Sequence, residues 1–217
     1  MSVGIFLAVE GIDGSGKSTQ IKYIEKRLKE KYNKDVIITR EPGGTPLAEK
    51  LRNLVLSADE ENISADAEAL MFSAARKIHL DNLIIPSLNE GKIVISDRFS
   101  DSMFAYQCAH GADYDRIKKI NDWTLNGFKA DYTFLFFVSP EVAKERLVKR
   151  KGNDKDRFDE EAKENDSFVE KTYSIFIRRL NEGDSKYIII DSSKSVENTQ
   201  SQIDLILDKI FEQYNTL

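Results

Sequence analysis

Short apolar runs alternate along this chain with longer segments in which apolar residues recur every three or four positions. The runs are typical of buried strands, and they occupy residues 3–9, 35–39, 92–96, 132–138 and 186–190. The longer segments predict helices over 17–32, 45–57, 64–89, 101–108, 113–126, 140–150, 161–181 and 195–214. Strands separated by helices predict an α/β fold, with a parallel sheet covered on both faces. Since ligands of such sheets bind at the carboxyl ends of strands, we look for functional residues directly after each strand.

Composition narrows the class of protein further. The 217 residues suit one domain, 1–217, and the net charge of −5 argues against a general affinity for nucleic acid. No apolar run has the length of a membrane span, and a lone cysteine, Cys108, fits a reducing cytoplasm. His79 and His110 have no partners at metal-ligand spacing, so we expect neither to bind a metal. Trp123 stands among apolar residues and is expected in the core.

A complete phosphate-binding loop of the form G-x-x-x-x-G-K-S follows the first predicted strand. It consists of Gly11, Ile12, Asp13, Gly14, Ser15, Gly16, Lys17 and Ser18, with Thr19 next in the helix. Glycines let the backbone N–H groups approach phosphate oxygens, and the positive end of the helix adds to the attraction. Lys17 supplies a mobile positive charge, and the Ser18 hydroxyl is placed to ligate Mg²⁺. This strand–loop–helix setting predicts binding of a nucleoside triphosphate.

The third predicted strand ends in Asp97 and Arg98. An aspartate beside a phosphate loop can hold Mg²⁺, directly or through water. The planar guanidinium of Arg98 suits a phosphate group. The alternative is a local ion pair between the two residues, and their position at a strand end favours the functional interpretation.

Two further segments have a possible functional role that the pattern alone does not decide. Residues 146–159 are dense in charge around Gly152 and suit either a solvated loop or a lid that closes an arginine over the transferring phosphate. Phe72 and Arg76 lie one turn apart on a predicted helix and so share a face. Spacing alone favours a core role for Phe72, but the pair could also stack on and hydrogen-bond a base.

Together these segments resemble the thymidylate kinase family. The similarity runs from the first strand to about residue 180, and its motifs are Val9–Gln20, Thr39–Thr45, Leu70–Arg76, Asp97–Phe99, Ala105–Gln107 and Asp156–Arg157. The resemblance implies a three-layer P-loop NTPase fold with a five-stranded parallel sheet and a small lid. It also implies a homodimer that catalyses ATP + dTMP → ADP + dTDP with Mg²⁺.

The resemblance assigns roles on the acceptor side of the site. Phe72 corresponds to the residue that stacks on thymine, and Arg76 to its hydrogen-bonding partner at the base edge. Arg52 and Arg98 correspond to clamps on the dTMP phosphate. The remaining acceptor-side positions, over sugar and base or beside the 3′-OH, are Tyr106, Gln107, Asp13 and Glu41. Of these, Tyr106 is expected to disfavour a ribose 2′-OH, and Asp13 to meet the 3′-OH of the acceptor.

The family has two arrangements of its catalytic arginine. One places it in the phosphate loop directly after the acid, where this chain has Gly14. The chain therefore resembles the other arrangement, with the arginine in the lid. The candidates in order are Arg150 and Arg157; Lys151 stays open because the alignment is ambiguous by one residue. Arg146 is expected on the adenine or phosphate side, with adenine contacts from backbone near 192–195.

Two positions depart from the family pattern. Phe99 stands where many members have Tyr or His, and Met103 stands where many bacterial members have a hydroxyl residue. Because a thioether is a weak acceptor and no donor, contact with thymine N3 must come from Gln107, Ser102 or water. These two departures bear on the selectivity for the base and leave the reaction class unchanged.

Three other functions are alternatives to a thymidylate kinase activity. A related P-loop kinase could act on a deoxynucleoside or on several monophosphates, and substrate profiling would separate it. A GTPase switch would need a guanine-reading Asn-Lys-x-Asp, but Asn33-Lys34-Asp35 lacks the spacer and precedes a strand. A non-catalytic nucleotide-binding scaffold would leave the charged lid and the acceptor-side arginines unexplained.

Overall fold

Five parallel strands form one sheet in the part of the chain that the computed structural model describes, residues 4–57, 62–149 and 165–214. The strands are β1 (Ile5–Glu10), β2 (Val36–Arg40), β3 (Ile93–Asp97), β4 (Tyr132–Phe137) and β5 (Tyr187–Asp191). Their order across the sheet is β2-β3-β1-β4-β5, with parallel pairing throughout. Each predicted strand is confirmed to within two residues at either end, and so is the α/β class.

Helices connect these strands and cover both faces of the sheet. They are α1 (Lys17–Glu30), α2 (Pro46–Leu56), α3 (Ala65–His79), α4 (Ile85–Asn89), α5 (Ser100–Ala109), α6 (Tyr114–Leu125), α7 (Pro140–Lys149), α8 (Asp166–Glu182) and α9 (Val196–Tyr214). Residues with side-chain oxygens begin several of them: Thr45 caps α2 and Asn165 caps α8 by accepting from backbone N–H groups. The predicted helix 161–181 therefore starts later, at Asp166, and residues 161–164 lie outside the described part.

The predicted helix over 64–89 is helical throughout residues 65–89, but it is not α-helical along its whole length. Helix α3 ends at His79, a π-helical segment spans Leu80–Ile84, and α4 follows. Pro86 has no N–H to donate to the carbonyl four residues earlier, and its ring crowds that carbonyl, so regular α-helix cannot pass through it. The apolar spacing hides this break because Leu80 and Ile84 still face the core.

The core lies on both sides of the sheet, as the nearly all-apolar strands predict. All six residues of β1 are buried. Successive side chains point to opposite faces, so Leu7 packs with Ile24 of α1 and Leu207 of α9, while Phe6 packs with Leu80. This double burial fixes β1 at the centre of the sheet.

Trp123 is not in the core, contrary to the prediction. Its side chain is 80% exposed on α6, whose buried residues are Ile117, Asn121 and Thr124. Those three positions follow the helical repeat of three to four residues, which turns the side of α6 that carries Trp123 toward solvent. A single large apolar residue among apolar neighbours was too weak a signal for burial.

The strand order places the candidate site. From β1 the chain builds β2 and β3 on one side, and later β4 and β5 on the other, so the direction reverses beside β1. Register aligns Val9 and Arg40 with Asp97, which brings the ends of β1, β2 and β3 to one edge. No helix within the described residues is both long and apolar enough to cross a membrane.

Candidate active site

A cavity of about 810 Å³ opens at the carboxyl ends of β1, β2 and β3. The predicted site residues that line it are Asp13, Gly14, Gly16, Lys17, Ser18, Thr19, Glu41, Arg52, Phe72, Arg76, Asp97, Arg98, Ser102, Tyr106, Gln107 and Arg146. The predicted residues Gly11, Ile12 and Ser15 belong to the phosphate loop but do not line the cavity. Arg150, Lys151 and Arg157, the candidates for the lid cation, lie outside the described residues, as does most of the predicted lid 146–159.

The phosphate loop packs so closely that one glycine cannot be replaced. Gly14 has a φ of 81°, and a Cβ there would lie 2.3 Å from the carbonyl oxygen of Ala143 in α7. Gly16 has a φ of 92° and precedes the first turn of α1. Both conformations favour glycine, and they turn the loop into the start of the helix, where backbone N–H groups bind anions.

Lys17 is buried beside the loop. Its ammonium group donates to the carbonyl oxygens of Gly11, at 2.8 Å, and Ile12, at 3.0 Å. Burial, together with the nearby cation Arg98, lowers the pKa of Lys17 to about 8, against the opposing effect of Asp13 and Asp97. A phosphate anion brought to this side chain would favour its charged form.

Asp97 carries an oxygen suited to a metal. Its Oδ1 atom is buried and has no hydrogen-bond partner within the described part of the chain. The exposed Ser18 lines the same cavity. A carboxylate and a hydroxyl oxygen are hard ligands that fit Mg²⁺, which in kinases takes its other ligands from phosphates and water. The described residues hold no cluster of three or more metal-ligating His, Cys, Asp or Glu.

Arg98 is the centre of a hydrogen-bond network that lines the cavity. Its guanidinium donates to Asp13, to the Tyr106 hydroxyl at 2.9 Å and to Ser102 Oγ at 3.0 Å. Burial would raise the pKa of Asp13, but Arg98 and Lys17 outweigh it and hold that pKa below its usual value. Arg98 itself has a φ of 71°, a left-handed conformation that is strained for a residue with a Cβ. Arg98 forms its ion pair with Asp13, so the alternative of a local pair with Asp97 does not describe this site.

Glu10 is a site residue that the sequence analysis missed. It is buried at the end of β1, and it accepts from the backbone N–H groups of Phe99, at 2.8 Å, and Ser102, at 3.2 Å, where α5 begins. Ser102 Oγ also donates to it, at 2.6 Å. Burial and the nearby Asp101 raise the pKa of Glu10 to about 7. An acid at the end of an apolar strand, directly before the loop, was the signal that could have found it.

Phe72 and Arg76 form the far end of the cavity. Phe72 is buried in an apolar cluster, as its spacing favours, and its side chain also lines the cavity. Arg76 donates to Glu41 at 2.6 Å, to the carbonyl of Phe99 at 3.0 Å and to Asn121 at 3.2 Å. Both Glu41 oxygens are engaged, one by Arg76 and the other by His79.

Three further arginines border the cavity. Arg52 donates to the carbonyl of Pro42 at 3.3 Å. Arg146 donates to the carbonyl of Ser192 at 2.8 Å, which joins α7 to the loop after β5. Arg40, not assigned before, ends β2 and pairs with Glu49 at 2.9 Å. Its place in the segment from Thr39 to Thr45 was the available signal.

The phosphate-binding loop and a second end lined by arginines share one cavity. This is the arrangement of a P-loop kinase, in which the donor phosphate and the acceptor phosphate must meet. A family model described as thymidylate kinase matches residues 9–203. The chain is 38% identical to a thymidylate kinase of Paraburkholderia xenovorans over 211 residues, which cover 95% of this chain and 98% of that protein. It is 41% identical to a thymidylate kinase of Ruthia magnifica over 209 residues, with the same coverage. The chain therefore belongs to the thymidylate kinase family.

Proposed function

We propose how this chain carries out the reaction of its family, the transfer of the γ-phosphoryl group of ATP to dTMP, which gives dTDP. The observation that carries the proposal is the shared cavity, with Lys17 of the phosphate loop at one end and Phe72 at the other. ATP binds with its phosphates on the loop residues 11–19. Arg146 donates to the backbone carbonyls of residues 192–194, and together with the backbone of 192–195 it borders the adenosine.

The acceptor occupies the end lined by Phe72 and Arg98. The thymine ring stacks on Phe72, and Arg76 donates to an oxygen at the base edge. Arg52 and Arg98 hold the phosphate, for which Arg98 exchanges part of its contact with Asp13. This supplies paired positive charge where two anionic reactants approach each other.

The sugar lies against Tyr106 and Asp13. The Tyr106 hydroxyl donates to Asp13 Oδ2 at 2.6 Å, which fixes both groups. The lowered pKa of Asp13 keeps it ionised at neutral pH, as an acceptor for the 3′-OH. Ser102 and Gln107 complete the contacts to the base and its surroundings.

Phosphoryl transfer here needs alignment and charge neutralisation rather than a strong general base, because the acceptor is already a phosphate anion. Ser18 and Asp97 would hold Mg²⁺, which when bound neutralises charge on the β- and γ-phosphate oxygens. Lys17 acts at the donor phosphates. Arg150 is our first choice for the lid cation, ahead of Arg157 and Lys151.

The test is a coupled assay of ADP release with ATP and Mg²⁺, in which dTMP, dUMP, dCMP, dAMP, dGMP and thymidine are compared as acceptors. We expect dTMP to give the highest kcat/KM and thymidine to be inactive, because Arg52 and Arg98 need an acceptor phosphate. Equal activity on several monophosphates, or activity on thymidine, would replace the proposal with the broader kinase.

We further propose a homodimer in the cytoplasm. Helices α2 and α3 pack together and expose apolar side chains, namely Leu47 and Leu54 on α2 and Leu70 on α3, while α6 beside α3 exposes Trp123. Covering such residues in a partner subunit is a common reason for their exposure. Light scattering is expected to give twice the chain mass, and a monomer at micromolar concentration would contradict this.

The single cysteine supports a reducing compartment.

A further inference from the structure

Gln107 presents an amide to the base end of the cavity, and a buried acid holds it. The side chain of Gln107 on α5 is 2% exposed and lines the cavity. Its Nε2 atom donates to Glu68 Oε2 at 3.3 Å. Glu68 is itself buried, on α3 one turn before Phe72, so the two residues share one face of that helix.

The chemistry of Glu68 decides which way this amide points. The oxygen and the NH₂ group of a glutamine amide have nearly the same shape and exchange places by a half-turn. Glu68 Oε2 receives Gln107 Nε2 and also faces His110 Nδ1 at 3.2 Å. The oxygens of an ionised carboxylate can only accept, so the amide NH₂ group of Gln107 faces Glu68. The acceptor atom Oε1 is then the one left for the cavity.

The neighbouring side chains are engaged in other contacts, so Gln107 is the residue that can accept from a base N–H. Ser102 Oγ donates to Glu10 and accepts from Arg98. Met103 offers only a thioether, already approached by Ser73 Oγ at 3.4 Å. Arg76 can only donate. The amide oxygen of Gln107 therefore provides the acceptor that a base N–H needs at this end of the cavity.

We propose that Glu68 is a positioning residue that selects thymine over cytosine by fixing the orientation of the Gln107 amide. Thymine has a proton on N3 and a carbonyl at C4, which match an acceptor from Gln107 and a donor from Arg76. Cytosine has a bare N3 and an amino group at C4, so both contacts become repulsive. This inference rests on the proposed function, since it takes dTMP as the acceptor.

The test is Glu68→Gln, which keeps the shape but lets the new side chain donate to Gln107 Oε1 and so permits the amide to turn. We expect the ratio of kcat/KM for dTMP to that for dCMP to fall about tenfold or more, by a loss on dTMP and a gain on dCMP. The KM for ATP and the Tm should change little. Asp66→Asn, an exposed acid on the same helix, is the matched control and should leave the ratio unchanged.

A double-mutant cycle with Gln107→Leu separates positioning from a general structural role. If Glu68 acts through the amide, Glu68→Gln has no effect on the ratio when Gln107 is already leucine. An unchanged ratio in the folded single variant, or an equal change in both backgrounds, overturns the inference. If Glu68→Gln does not fold, Glu68→Asp withdraws the carboxylate from Gln107 and must also lower the ratio. A wild-type enzyme without preference for dTMP would instead count against the proposed function.

Discussion

Lys17→Met is expected to lower kcat by about 10²- to 10³-fold, the usual loss when one cation or donor aimed at developing phosphate charge is removed. Methionine keeps the length and apolar stem of the side chain, so the buried position stays filled. The ammonium group and its bonds to Gly11 and Ile12 are lost. Steady-state kinetics at saturating ATP and dTMP measure the effect. Lys22→Met, an exposed lysine on the same helix, is the control and should keep wild-type turnover.

The pKa of Lys17 gives this prediction a second readout. In the free protein that pKa is about 8, and bound phosphate raises it, so binding takes up a proton above pH 8. The affinity for a non-hydrolysable ATP analogue should therefore fall as pH rises past 8, with a limiting slope of about tenfold per pH unit. Calorimetry should find no such slope for Lys17→Met. Wild-type turnover in the variant, or a slope that survives in it, would show that Lys17 does not contact the phosphates.

Arg98→Lys is expected to lower kcat/KM for dTMP about 10- to 100-fold, chiefly through KM, while the KM for ATP stays close to wild type. Lysine keeps a positive charge but lacks the planar fork that now joins Asp13, Tyr106 and Ser102. Both residues have a Cβ, so the strained φ at this position is the same in wild type and variant. The kinetic change therefore reports the guanidinium and not the backbone.

The matched control is Arg178→Lys on α8, an exposed arginine paired with Glu182 away from the cavity. It should leave kcat/KM for both substrates within about twofold of wild type. Equal losses on dTMP and ATP in Arg98→Lys would point to a collapse of the whole cavity. Unchanged kinetics would remove Arg98 from the acceptor site.

Most of the fold could be predicted from the sequence, because the central strands are buried on both faces. Such strands consist almost entirely of apolar residues, as in Ile93 to Ile95, and the polar residues after them mark the strand ends. Helix continuity was harder, since apolar spacing survives the π-helical segment before Pro86. The exposure of Trp123 was equally out of reach, because local composition does not say which side of α6 packs against α3 and α5.

For the site, the sequence motifs predicted which residues belong to it but not which residues contact each other. Asp97 and Arg98 were adjacent candidates, yet the structure separates them: Arg98 turns to Asp13, and Asp97 keeps a buried oxygen without a partner among the described residues. The types and spacing of Glu10 and Glu68 did not indicate a role in the site. Their roles depend on contacts 92 and 39 residues away along the chain.

The sequence by itself determined the α/β class, the phosphate loop and the resemblance to a kinase family, because these depend on local spacing and on residue types that few other arrangements use. Only the tertiary structure decided which charged groups meet. A pairing such as Arg76 with Glu41, or Glu68 with Gln107, forms because the strand order and helix packing bring distant segments within 3.3 Å, away from water. In that buried setting each polar group needs a partner, and the choice of partner fixes its chemistry.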